Sequence, residues 1–178
     1  GTVTGVQTCA LPIYLIGYGQ NPPDPKWPNG ARLALNFVIN IEEGSEPSVQ
    51  DGEGHTEVQH TEAFGRSQGV NGRDLAGEGM FEYGSRVGVW RLLRMFEERK
   101  LPVTLFACAL ALERNPPLAA AVRASQHEVC SHGWRWVKHY DMTEAQEREQ
   151  IARAVASLEK TTGRRPVGWY CRYGPSLN

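Results

Sequence analysis

The chain lacks any long apolar run. No stretch approaches the ~18 consecutive apolar residues of a membrane span, so no membrane partner is expected. It also lacks an excess of charge. Its 19 Lys+Arg against 20 Asp+Glu leave −1, which removes the electrostatic attraction that nucleic acid or an anionic surface requires, and neither is expected as a partner. Cysteine is sparse: Cys9, Cys108, Cys130 and Cys171 form no C-x-x-C pair, which excludes a zinc ribbon or a dense disulfide scaffold and points to a reduced, cytoplasmic setting. Only Lys26 among basic residues precedes Arg32, so the basic region of a secretory signal is missing. What remains, 178 residues of which 40% are apolar, suffices for one substantial core and not for two domains.

Residues 3–13 read VTGVQTCALPI and resemble the in-frame translation of a sequencing-library adapter. Residues 1–13 are therefore expected to be a non-native leader, and residues 14–178 to be one catalytic domain. The chain stops soon after a motif with no closing element, so the expectation is the N-terminal part of a longer protein.

Four prolines between Pro22 and Pro28 fix φ and remove donors, giving an extended lead-in. Leu33, Leu35, Phe37, Ile39 and Ile41 then alternate with smaller or polar residues, a period-2 strand ending at Glu42-Glu43-Gly44. Residues 45–79 show no periodicity and, with Gly44, hold eight glycines, as expected of a functional loop, a lid or disorder. From Tyr83 to Lys100 a helix is expected, with Val89, Leu92, Leu93 and Phe96 on one face. Val103 to Cys108 is a buried-type strand. Asn115-Pro116 opens a helix to about Ser125. Glu128-Val129-Cys130 is a short strand, and Thr143 to Gln146 a capping box before a helix closed by Gly163. That helix is expected to carry an apolar stripe of Ile151, Val155 and Leu158, and the ion pairs Glu144/Arg148 and Glu149/Arg153. Val167 to Cys171 is a fourth strand. Strands alternating with helices imply βαβ units and a parallel sheet. A complete (β/α) barrel needs ~250 residues, so a partial barrel, truncated at its C-terminal side, is the expected α/β fold.

In parallel α/β sheets chemistry gathers at the carboxyl ends of the strands. Those ends are Glu42-Glu43, the run from His132 to Trp136, and the run from Arg172 to Pro175. Strand parity puts Glu42 on the face opposite the bulky residues and makes it the candidate chemical carboxylate. His55, His60, His127 and His139 have no ligand-like spacing and are set aside. A thiol nucleophile at Cys130 or Cys171 is a weaker alternative, because buried cysteine usually serves packing.

Asn40-Ile41-Glu42-Glu43-Gly44 resembles the T-F-D-D-G motif of the polysaccharide deacetylase (NodB-type) superfamily. Ser131 to Trp136 resembles its H-[ST]-x-x-H motif, and Cys171 to Pro175 its arginine-containing motif. The strings Leu15 to Gly19, Asn21-Pro22-Pro23, Trp27-Pro28, Glu82 to Arg86, Gly88 to Arg91 and Arg165 to Tyr170 make the likeness closer to one branch, the metal-independent allantoinases. The resemblance implies a cytoplasmic hydrolase that opens the ring of a small cyclic ureide, and a homo-oligomer when complete. In the deacetylase pattern a divalent metal is held by an Asp and two His. Here those positions are Glu43, His132 and Trp136, and an indole cannot ligate. The expectation is therefore no metal and no other cofactor. Glu42 would be the general base and His132 the acid or oxyanion donor, with Glu43, Trp136 and Arg172 binding substrate and Trp136 stacking on the ring. The alternatives are a metal-dependent polysaccharide or chitin deacetylase, and a non-catalytic binding module of the same fold.

Overall fold

The computed structural model describes residues 17–59, 72–172, 176 and 178. The expected leader, His60, part of the Gly-rich stretch, and Tyr173, Gly174 and Pro175 lie outside them. The chain divides into two compact units, Gly1–Leu35 and Asn36–Asn178. In the first, the proline-rich lead-in is irregular apart from one 3₁₀ turn, Pro28–Gly30.

The second unit holds a parallel sheet ordered β1 (Val38–Ile41), β2 (Thr104–Ala107) and β3 (Glu128–Ser131). Val38 faces Thr104, which faces Glu128, and the ladder runs in register to Ile41, Ala107 and Ser131. β1 begins at Val38, not Leu33, and Leu33 and Leu35 are exposed (68% and 72%). The limit is set by its neighbour: Pro102 has no N–H to give, and the first cross-strand bond is Thr104 N–H to the Phe37 carbonyl. Within β1 the expected parity holds, with Ile39 and Ile41 buried and Val38 and Asn40 exposed.

The helices cover the odd face of β1. α1 (Leu75–Tyr83) starts inside the stretch read as loop, where the Asp74 carboxylate caps the N–H groups of Ala76 and Gly77. It passes through one π turn, Gly84–Gly88, into α2 (Val89–Glu98). Val89, Leu93 and Phe96 are buried while Leu92 is not, a narrower face than expected. α3 (Ala109–Arg114) was not foreseen, because four consecutive buried residues, Ala109 to Leu112, leave no amphipathic signature. α4 (Pro116–Ala124) opens as expected, with Asn115 Oδ1 accepting from Leu118 N–H. α5 (Glu144–Thr162) shows the full capping box at Thr143 and Gln146, and ends at Gly163 with φ 75°.

α5 buries Ala154, Ser157, Leu158 and Thr162, and leaves Ile151 and Val155 half-buried. The stripe is rotated from the expected one because α5 packs on α3 and α4. Glu144 pairs with Arg148 as expected, but the Arg153 guanidinium lies over the Trp134 ring at 3.2 Å.

The fourth strand is reduced to two parallel bridges, Ser131 with Trp169 and Lys138 with Arg172. Ser131 N–H donates to the Gly168 carbonyl and Tyr170 N–H to the Ser131 carbonyl. The segment lies where a fourth strand would, but Ser131 is the last β3 residue and offers no further ladder partner.

Candidate active site

Glu42 follows Ile41 out of β1, and a tight turn holds it. Ser45 N–H and Oγ–H both donate to the Glu42 carbonyl, at 2.9 and 2.5 Å, and Gly44 sits at φ 95°, where a side chain would be strained. His132 extends β3 by one step, its N–H donating to the Ala107 carbonyl. The two side chains meet with His132 Nε2 3.1 Å from Glu42 Oε1. Asn40, on the same strand face, donates to that oxygen at 2.5 Å.

The proton positions follow from the partners. His132 Nδ1 lies 2.5 Å from the Tyr170 carbonyl oxygen, which can only accept, so Nδ1 carries hydrogen. A neutral ring would then present a lone pair at Nε2 to a carboxylate oxygen, two acceptors face to face. A hydrogen bond between Nε2 and Oε1 therefore requires one further proton between them. So joined, the pair is an imidazolium and carboxylate or the neutral equivalent.

A cavity of about 330 Å³ opens beside this pair, lined by Asn40, Glu42, Glu43, His132, Trp136, Tyr170, Cys171 and Arg172. That is the low end of the roughly 300–1,000 Å³ of small-molecule sites. All five candidate residues from the sequence line it. Glu43 Oε2 accepts the Glu42 N–H, and its carboxyl crowds Gly84, where an added Cβ would lie 2.6 Å from Glu43 Oε1. Burial pushes the Glu43 pKa up.

Trp136 differs from expectation in its surroundings. It is 4% exposed, with the Arg172 guanidinium 3.9 Å over its ring and the Phe81 ring edge-on at 6.3 Å. The guanidinium thus covers one face of the indole, which still lines the cavity. Arg172 forms a 2.7 Å ion pair with Glu57, and it also donates to the Trp136 carbonyl and to Gln59 Oε1.

Sequence reasoning missed Glu57 and the residues that brace its segment. Arg135 donates to Glu53, to Asp51 (3.3 Å) and to the carbonyls of Ser45 and Glu46. Arg114 forms a two-pronged pair with Asp51 and donates to the Gly44 carbonyl. Among the described residues, 45–59 thus form a braced segment and not a loose loop. The available signal was the acids Asp51, Glu53 and Glu57, spaced within a short glycine-rich stretch and matched by arginines at strand and helix ends.

The thiols suit packing better than attack. Burial pushes the Cys108 thiol up to about 12 and raises Cys130 and Cys171 as well, so none is a ready thiolate at neutral pH. The metal of the deacetylase pattern does not fit the donor set either. Glu43 and His132 supply two donors, and the third corner is an indole covered by a guanidinium. Among the described residues no group of three His, Cys, Asp or Glu is arranged to hold a metal.

The parallel α/β sheet, with carboxylates and a histidine at its strand ends, is that of a NodB-type fold. The profile of the polysaccharide deacetylase family matches residues 79–178, over half of the chain, and the chain belongs to that family. A Schizosaccharomyces pombe relative assigned as a polysaccharide deacetylase is 36% identical over 161 residues, covering 88% of this chain and 50% of its own length. The peptidoglycan deacetylase of Helicobacter pylori is 29% identical over 106 residues, covering 60% of this chain and 36% of its own. The chain thus spans half or less of the length of these curated relatives. Among solved structures, PuuE allantoinase superposes with a TM-score of 0.82 at 46% identity, and a probable polysaccharide deacetylase from Pseudomonas aeruginosa PAO1 with 0.82 at 49%. Each covers 93% of this chain and 55% of the structure compared. Among the described residues no helix is long and apolar enough to cross a membrane.

Proposed function

We propose that the protein is a metal-independent hydrolase of cyclic amides that opens the hydantoin ring of allantoin to allantoate. The observation that carries this reading is the third ligand corner, where Trp136 lies buried under Arg172. With no ligand there, attack must be driven by the carboxylate and imidazole already joined by one proton.

The proton path balances on these two groups. Glu42 as carboxylate takes a proton from water, whose oxygen bonds to the ring carbonyl carbon. His132 Nε2–H gives its proton to the departing ring nitrogen as the C–N bond breaks. Transfer from Glu42 Oε1 to Nε2, 3.1 Å apart, restores the starting state. The Nδ1–H bond to Tyr170 stays in place and fixes the ring. Acid–base help of this kind contributes ~10²–10⁴ in rate, and positioning supplies the rest.

The names of the Helicobacter and Pseudomonas relatives support a second reading, deacetylation of a glycan. One assay separates the two. The complete protein is given allantoin or chitooligosaccharides, with and without chelator. The proposal expects allantoin turnover indifferent to chelation and abolished by Glu42→Gln with hydantoin binding retained. Deacetylation that stops on chelation and returns with zinc would refute it.

A further inference from the structure

We propose that Glu57 is a positioning residue that neutralises Arg172 and makes the cavity select uncharged ligands. The proposal rests on the cyclic-amide reading and deepens it.

Glu57 belongs to none of the three motif strings. It reaches the cavity wall from the braced segment, and its carboxylate is fixed at both oxygens. Oε1 accepts Gln59 N–H at 2.7 Å, and Oε2 meets Arg172 Nη1 at 2.7 Å. The side chains are 7% and 5% exposed, so water screens neither charge well and each depends on the other. The backbone holds the pair in place. Glu57 N–H donates to the Pro47 carbonyl and Thr56 N–H to the Gly72 carbonyl. Thr56 Oγ1 donates to Glu78, which pairs with Arg73. Opposite, the Arg172 guanidinium lies 3.9 Å over the Trp136 ring and donates to its carbonyl.

Ionisable groups around the cavity are matched in two pairs, and burial pushes the pKa of the remaining carboxyl, Glu43, up, which favours its uncharged form. Glu42 and His132 share a proton, and Arg172 is matched by Glu57. An arginine lining a small cavity would ordinarily invite a carboxylate. Here that charge is already answered from behind, and the wall suits a neutral planar molecule carrying N–H and C=O groups, the chemistry of a ureide.

Titration calorimetry of the complete protein with hydantoin, which is neutral, and hydantoate, its ring-opened carboxylate, tests this. Wild type is expected to bind hydantoin and to bind hydantoate at least about tenfold more weakly. Glu57→Gln keeps the shape but removes the carboxylate charge that faces Arg172. Hydantoate should then gain about tenfold, as the loss of one negative charge beside the cavity supplies, while hydantoin changes less than about threefold. Glu57→Asp keeps the charge and should keep wild-type selectivity. A merely structural role would weaken both probes together and leave their ratio unmoved. A folded Glu57→Gln protein with an unchanged ratio overturns the proposal, and so does a Glu57→Asp protein that gains hydantoate. Should neither variant fold, tighter wild-type binding of hydantoate than of hydantoin overturns it equally. If wild type binds neither probe, the cyclic-amide reading itself falls.

Discussion

Arg135→Ala offers a sharp test of the brace behind the active site. Arg135 is the residue before Trp136, and its side chain is 14% exposed. Its guanidinium holds the Glu53 carboxylate, Asp51 and two backbone carbonyls of the segment that follows β1. Hydrogen bonds to charged groups contribute ~1.5–3 kcal/mol each, and removing one partner of a fully buried pair costs ~3–5 kcal/mol. Three facts lower the sum. The Glu53 side chain is 30% exposed and can rehydrate, Asp51 keeps its pair with Arg114, and the carbonyl bond to Ser45 is long at 3.4 Å. A net loss of about 2 kcal/mol follows, equivalent to a fall in Tm of about 4–8 °C for a chain of this size. A thermal melt followed by circular dichroism measures it, and limited proteolysis should show new cleavage within residues 45–59 of the variant. Arg135→Lys keeps one charge but not the fork, and should recover less than half of the loss. A melt within 1 °C of wild type, with residues 45–59 still resistant, would show that the segment is held by other contacts.

The Asp51 pKa is lowered chiefly by its hydrogen bond to Arg114. Its stabilisation is therefore present above the unfolded value of 3.8 and lost as pH falls, so the melting gap between wild type and Asp51→Asn should be widest near neutrality and close in acid. Gly84→Ala pits a helix-propensity gain of ~1 kcal/mol against a Cβ 2.6 Å from Glu43 Oε1 and 2.9 Å from its Cγ. Hydantoin titration should show weakened binding with little change in Tm, and unaltered affinity would mean Glu43 moves aside freely. Leu105→Ala empties a fully buried position on β2 and should cost ~2–5 kcal/mol by chemical denaturation. A loss under 1 kcal/mol would mean the sheet and helices collapse onto the gap.

The legible features were local. Strand parity in β1 correctly placed Asn40 and Glu42 on the face away from the buried Ile39 and Ile41, and the two side chains do bond. Capping at Thr143 and Gly163 is written in adjacent residues, and the structure follows it. Lengths were less legible, since β1 begins only where β2 starts to offer partners, a fact of register with residues 66 positions away in sequence. α3 hid behind uniform burial, which leaves no period to read.

The least legible features were ion pairs across long sequence gaps, and they bear on the chemistry in a particular way. Glu42 and His132 could be named from strand ends, but their motifs alone do not determine what surrounds them. Asp51, Glu53 and Glu57 each answer an arginine more than 60 residues distant, at Arg114, Arg135 or Arg172. Glycine-rich sequence between them reads as slack, because periodicity measures burial of apolar faces and is blind to charge pairing. The same pairing alters the reading of Arg172. From its motif it is a cation facing substrate; with Glu57 behind it and Trp136 beneath, it becomes a neutral wall. A substitution at Trp136 that restored a histidine would therefore meet a guanidinium where a metal should approach, and would not by itself rebuild a cation site.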